Sequence, residues 1–107
     1  MIRDAKEYIR ANFSQSDLSL NRIAAHIGVS PSYFSSLFSQ EVGSTFVEYL
    51  TGVRMEKAKE LLLNPDIPVG TVAVKVGYGN YSYFSKLFKD VIGCTPNEYR
   101  KNKRGSF

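Results

Sequence analysis

Apolar residues recur along this chain at steps of three and four, the spacing that places them on one face of an α-helix. Ala5, Tyr8, Ile9 and Phe13 define the first such face and leave Lys6, Glu7 and Arg10 to solvent. The stretch from Ser14 to Ser19 interrupts it. Leu20, Ile23, Ala24 and Ile27 define a second, shorter face; Ser19 stands where an N-cap belongs, and Gly28 where a residue of positive φ would stop the helix. Ser30-Pro31 opens a third helix, with serine as cap and proline in the first turn. Its apolar stripe is Tyr33, Phe34, Leu37 and Phe38, with Val42 further on, its other sides carry Ser32, Ser35, Ser36 and Ser39, and Gly43 ends it.

The longest periodic segment covers 44–64, with Phe46, Val47, Leu50, Val53, Ala58, Leu61 and Leu62 as its apolar set. About 20 residues rising 1.5 Å each make a rod of roughly 30 Å. Gly52 lowers helix propensity there without forbidding continuity. Asn64-Pro65-Asp66-Ile67-Pro68 is a stop and restart. Val69, Val72, Ala73 and Val76 then supply a fifth helical face; valines at this density also suit a strand, but the match to Ile23–Ile27 favours a helix. Gly77-Tyr78-Gly79-Asn80 reads as a turn, Tyr81 to Ile92 as the sixth helix, and Thr95-Pro96 as the start of a seventh that ends in a basic tail, Arg100 to Arg104. The fold class expected is all-α, with seven helices.

The same unit occurs twice. Ser32, Tyr33, Phe34, Ser35, Leu37, Phe38, Gly43, Thr45, Glu48 and Tyr49 all return fifty positions later, ten identities within eighteen positions. Ala24, Gly28, Phe34 and Leu37 have the spacing of a helix-turn-helix: a small residue where helices cross, a glycine in the turn, apolar anchors on the second helix. Ala73, Gly77, Phe84 and Leu87 repeat it with one extra turn residue. The organisation expected is therefore two helix-turn-helix subdomains, 1–43 and 65–107, homeodomain-like in kind, joined by a linker helix over 44–64. A duplicated recognition element suits a ligand that itself repeats, and double-stranded DNA is such a ligand.

Charge adds a direction to this reading. The 107 residues carry a formal charge of +4. Residues 1–53 hold four basic and five acidic residues, a net −1, and residues 54–107 hold ten basic and five acidic, a net +5. The second half is thus expected to dominate attraction to phosphates. Cys94 is the only cysteine, which precludes an internal disulfide and fits a reducing compartment. No apolar run approaches the roughly 20 residues of a membrane span, and Met1-Ile2-Arg3-Asp4 has no signal-peptide core, so a cytoplasmic location is expected.

A helix fits the major groove, with its first turns at base edges and its N–H groups near phosphates. On the third helix the groove-facing residues expected are Ser32, Ser35 and Ser36, with Ser30 near the backbone. On the sixth they are Asn80, Tyr81, Ser82, Ser85 and Lys86, with Lys89 nearer the strand. Hydroxyls donate or accept at several bases, so the third helix should discriminate weakly, while Lys86 can reach guanine acceptors and the sixth should carry more affinity. A serine-rich face is equally a solvated surface, and Lys101, Lys103 and Arg104 are equally a phosphate-binding tail or a frayed terminus. A rod of roughly 30 Å approaches the roughly 34 Å between successive major grooves. A shorter separation would require a bent duplex.

These residues resemble the DNA-binding domain of the AraC/XylS family of bacterial transcription regulators, over nearly the whole chain. The resemblance rests on Val72-Ala73, Gly77-Tyr78, Tyr83-Phe84-Ser85, Phe88-Lys89, Gly93, Thr95-Pro96 and Tyr99-Arg100, with Tyr49-Leu50, Arg54, Ala58 and Leu61-Leu62 in the connecting helix. It implies seven helices, a sequence-specific regulator of transcription, no cofactor, and a sensing or dimerising domain elsewhere. Ala5-Lys6-Glu7-Tyr8-Ile9, Leu18-Ser19-Leu20 and Arg54-Met55-Glu56-Lys57-Ala58 are similar to the subgroup fused to a receiver domain in two-component systems. The chain departs from the family at Ser36 and Ser39-Gln40, where basic residues are common, and at Gly70 in the fifth helix.

Catalysis finds little support. His26 is the only histidine, no cluster has metal-ligand spacing, and Gly77-Tyr78-Gly79 lacks the third glycine and preceding strand of a nucleotide loop. The rival expectation is a helical docking module that contacts RNA polymerase or the chain's own regulatory domain.

Overall fold

The structure, a computed structural model, describes residues 1–104, with side chains for 1–103. Its helices are α1 (Ile2–Asn12), α2 (Leu20–Ile27), α3 (Pro31–Val42), α4 (Phe46–Leu62), α5 (Val69–Lys75), α6 (Tyr81–Ile92) and α7 (Pro96–Arg104). The all-α, seven-helix expectation is borne out among the described residues. Short polar side chains start five of these helices by accepting an otherwise orphaned N–H. Ser19 Oγ accepts from Arg22 N, Ser30 Oγ from Tyr33 N, Thr45 Oγ1 from Glu48 N, Asn80 Oδ1 from Tyr83 N and Thr95 Oγ1 from Glu98 N, all between 3.0 and 3.2 Å. At Thr45 and Thr95 the cap is reciprocal, because each threonine N–H donates to the glutamate carboxylate at 2.9 Å.

Two cores form. Ala5, Ile9, Leu18, Ile23, Ala24, Phe34 and Phe38 pack with Phe46 and Leu50 from the first half of α4. Val72, Ala73, Val76, Tyr78, Phe84 and Phe88 pack with Met55, Ala58 and Leu62 from its second half. Phe13 touches both. The linker is thus a wall of two cores rather than a spacer between them. Its second half does for the second core what α1 does for the first: Ala58 and Leu62 occupy the places of Ala5 and Ile9, within the matching runs Ala58-Lys59-Glu60 and Ala5-Lys6-Glu7. The repeat therefore begins in α1. It escapes a search at a constant interval because Ala5 and Ala58 are 53 positions apart whereas Phe34 and Phe84 are 50 apart.

Several sequence expectations need correction. α4 has 17 residues, hence a length of about 25 Å rather than 30 Å, because Ser44 and Thr45 belong to the cap and Leu63 to the exit. Val47, assigned to its apolar face, is 66% exposed, while Arg54 and Met55 are buried. Tyr33 stands 53% exposed beside the buried Phe34 and Phe38, since one residue along a helix turns the side chain about 100° off the core. Leu37 and Val42 are half-buried. Arg100, Lys101 and Lys103 belong to α7 rather than to a tail, and the side chain of Arg104 lies outside the described residues.

Two arginines tie helix ends together. Arg54, only 7% exposed, donates from Nε to Phe13 O at 2.9 Å and from Nη2 to Gln15 O at 3.0 Å, while its guanidinium lies 5.0 Å above the Tyr78 ring. It has no carboxylate partner among the described residues; the carbonyls following α1 and the ring face take up its charge. Arg100 repeats the device one unit later, donating to Leu62 O, Asn64 O and Ile67 O at 2.6–3.1 Å. Charge-assisted bonds of this kind contribute about 1.5–3 kcal/mol each.

Gly77 closes the Arg54 junction. Its φ is +103°, and a Cβ there would lie 2.7 Å from Phe13 O and 2.9 Å from Arg54 Nε. Gly28, its counterpart, has φ +90° and open space around it. Gly28→Ala should cost about 1–2 kcal/mol for the left-handed backbone alone, and Gly77→Ala about 3 kcal/mol or more because the clash adds to it. Urea unfolding of the two variants measures the difference, and equal losses would mean that the junction yields freely.

Candidate nucleic-acid interface

α3 and α6 are equivalent twelve-residue helices, each held by two phenylalanines one turn apart. Phe34 and Phe38 anchor α3, and Phe84 and Phe88 anchor α6, all fully buried. A residue two positions from such an anchor points roughly opposite to it. Ser32 and Ser36 therefore face away from the first core, with Ser35 and Ser39 half-buried along the same flank. On α6 the matching residues are Ser82, Ser85, Lys86 and Lys89, exposed except for half-buried Ser85. The structure thus brings Ser32, Ser35 and Ser36 together on one helix face, and Ser82, Ser85, Lys86 and Lys89 on another.

The residues at the helix starts have structural work as well. Ser30 and Asn80 are the caps of α3 and α6, so their side-chain oxygens are engaged while the serine hydroxyl proton and the asparagine Nδ2 remain able to donate. Tyr81 lies against Phe84, with ring centroids 6.4 Å apart, and stays partly open to solvent. Tyr83, 58% exposed, packs its ring against Tyr78 at 5.9 Å. Sequence reasoning placed Tyr33 with the core; its position one step off the Phe34 and Phe38 line was the signal that it is exposed.

The charges are less evenly available than their count suggests. Of the basic residues in the second half, Arg54 and Arg100 are committed to carbonyls, and Lys57 and Lys59 pair with Glu60 and Glu56 at 3.2 and 3.3 Å. Lys75, Lys86, Lys89 and Lys101 form no ion pair among the described residues. α3 carries no basic residue and α6 carries two, so the two faces differ in charge while sharing a shape. Glu98 is held below the ordinary carboxylate value, first by the Thr95 backbone N–H, then by the Thr95 side chain, with a smaller pull from Lys89. Glu48 is lowered in the same way by Thr45.

Elsewhere the surface offers little enzymatic chemistry. Among the described residues no group of histidine, cysteine and carboxylates could hold a metal ion, and no helix is long and apolar enough to cross a membrane. His26 stacks on Tyr8 at 4.1 Å, and Cys94 is a half-buried free thiol. Two clefts of about 490 and 480 Å³ lie along α4 and α1, away from the polar faces of α3 and α6.

With this geometry in view, the relatives are consistent. A helix-turn-helix domain family matches residues 23–102. The chain belongs to the AraC-type helix-turn-helix family, whose members are DNA-binding transcription regulators and not enzymes. It is 35% identical over 99 residues to the arabinose operon regulatory protein of Salmonella typhimurium, covering 92% of this chain and 35% of that protein. The chain thus spans about a third of the length of such a relative. It superposes with a TM-score of 0.92 and 46% identity on the C-terminal domain of AraT, a response regulator from Geobacillus stearothermophilus, over 94% of this chain and 84% of that one. The DNA-binding domain of AdpA, solved with a target DNA, shares the fold at a TM-score of 0.90 and 22% identity, over 97% and 93% of the two chains.

The reciprocal caps carry a pH signature. Because the folded carboxylates of Glu48 and Glu98 titrate below their ordinary value of 4.5, their contribution is complete above that pH and is lost as pH falls through the lowered folded value. A Glu48→Ala, Glu98→Ala double variant should be less stable than the parent near neutral pH, and the gap should shrink in acid. Urea midpoints against pH test this; a gap of constant size would show that the carboxylate charges contribute nothing.

Proposed function

We propose that this domain binds double-stranded DNA sequence-specifically, inserting α3 and α6 into successive major grooves as the output module of a transcription regulator. The observation that carries the reading is the pair of equivalent polar faces, Ser32-Ser35-Ser36 and Ser82-Ser85-Lys86, each turned away from its own core on an N-capped helix. Ser30, Asn80, Tyr81 and Lys89 complete the contact set from the helix starts and the flank. Residues 1–43 and 65–107 act as the two reading subdomains on the 44–64 linker. α4, at about 25 Å, is shorter than the groove repeat of roughly 34 Å, which supports seating of both helices on a bent duplex.

The length of the relatives, and the response-regulator neighbour, support a regulatory domain elsewhere in the full-length polypeptide, in the receiver pattern, acting in the cytoplasm. Docking on RNA polymerase or on that domain is the rival role, and it needs no duplex. α6 supplies most of the affinity, since it carries two lysines and α3 carries no basic residue.

Binding to duplexes selected from a random pool, followed across salt concentrations, tests the proposal. Lys86→Ala should cost about 1–3 kcal/mol of specific binding, and Ser36→Ala less than about 1 kcal/mol. The logarithm of affinity should fall linearly with that of salt. Equal losses in the two variants would remove the dominance of α6, and no binding even at low salt would leave the docking role.

A further inference from the structure

We infer that Arg54 is a positioning residue that fixes the mutual orientation of α3 and α6, and through it the spacing between the two DNA half-sites that the domain accepts; the second part rests on the two-groove reading. Arg54 is the point where three parts of the fold meet. It sits in the middle of α4, its Nε and Nη2 bind the carbonyls of Phe13 and Gln15 behind α1, and its guanidinium covers Tyr78. Tyr78 in turn packs on Tyr83 and Phe84 of α6, at 5.9 and 5.7 Å. The chain of contact therefore runs from the end of α1, part of the first core, to the helix that carries Ser82, Ser85 and Lys86.

Arg54 links the two halves through hydrogen bonds of defined direction. Phe13 borders both cores, but apolar contact tolerates sliding, whereas a planar guanidinium holding two carbonyls fixes both distance and angle. Backbone crowding supports the same geometry. Gly77 must be glycine for Phe13 O and Arg54 Nε to come so close to the α5–α6 turn. Each core also keeps its own phenylalanines, so loosening this junction leaves two folded halves able to rotate about α4.

The test uses spin labels at Gln40 and Asp90, exposed residues at equivalent places near the ends of α3 and α6, with circular dichroism as the control for helix content. The parent should give one narrow distance distribution. Arg54→Met should broaden or shift it with helix content retained, and Tyr78→Leu should do so to a smaller degree. An unchanged distribution in Arg54→Met overturns the inference. Should the methionine variant lose its helices, Arg54→Lys decides the same question, because an ammonium keeps the charge but not the two-pronged geometry.

Duplex selection supplies the second arm. The parent should enrich two blocks at one fixed spacing, and Arg54→Met should enrich the same blocks with its preference for that spacing reduced by about tenfold. Retention of the parental spacing by Arg54→Met overturns the assignment of spacing to Arg54. Enrichment of a single block by the parent overturns the two-groove reading and the spacing assignment together, while the label distances still judge the junction separately.

Discussion

The constraint on which everything else depends is the size of the two cores. A unit of about 50 residues buries too little apolar surface to be secure alone, and each half of this chain falls in that range. Sharing α4 relieves the constraint. Phe46 and Leu50 complete the first core and Met55, Ala58 and Leu62 the second, so a single helix lends one end to each. The consequence is mechanical as well as thermodynamic: halves built on one rod cannot be placed independently.

Sharing a helix settles the axis but leaves rotation about it open, and there Arg54 matters. The carbonyls that follow α1 and those that follow α4 both lack intrahelical donors. Arg54 and Arg100 each supply donors from the helix three elements later, so each unit is closed by a side chain of the helix that ends it. Burying Arg54 costs desolvation, which its two carbonyls and the Tyr78 face offset. An apolar residue would avoid that cost, though it would leave Phe13 O and Gln15 O without this donor and the angle between the halves unspecified.

The elements were legible in the sequence because their signals are local. The caps Ser19, Ser30, Thr45, Asn80 and Thr95 and the stops Gly28, Gly43, Gly77 and Gly93 bracket helices whose apolar period does the rest. The polar faces of α3 and α6 follow from the same period, once Phe34, Phe38, Phe84 and Phe88 are placed inside. What escaped was set by tertiary contact. Arg54 looks like any polar residue of an exposed flank until the carbonyls of Phe13 and Gln15 are brought to it. The α1–α4 repeat hides behind a change of interval, and Val47 and Tyr33 were apolar residues whose angular place mattered more than their type.

Charge was the feature most easily misread, since a net charge counts residues that the surface does not offer. With Arg54 and Arg100 turned to carbonyls and Lys57 and Lys59 to glutamates, the exposed cations left free of such contacts in the second half are, among the described residues, lysines, two of them on α6. On the proposed reading, α6 docks first by phosphate attraction, and α3 then meets its groove at the high effective concentration that a rigid connection provides. Weak hydroxyl contacts from Ser32, Ser35 and Ser36 suffice for reading under those conditions, but only if the connection holds its angle. A loose junction would spread that concentration over many orientations, so the serine face of α3 depends on Arg54 more than the lysine face of α6 does.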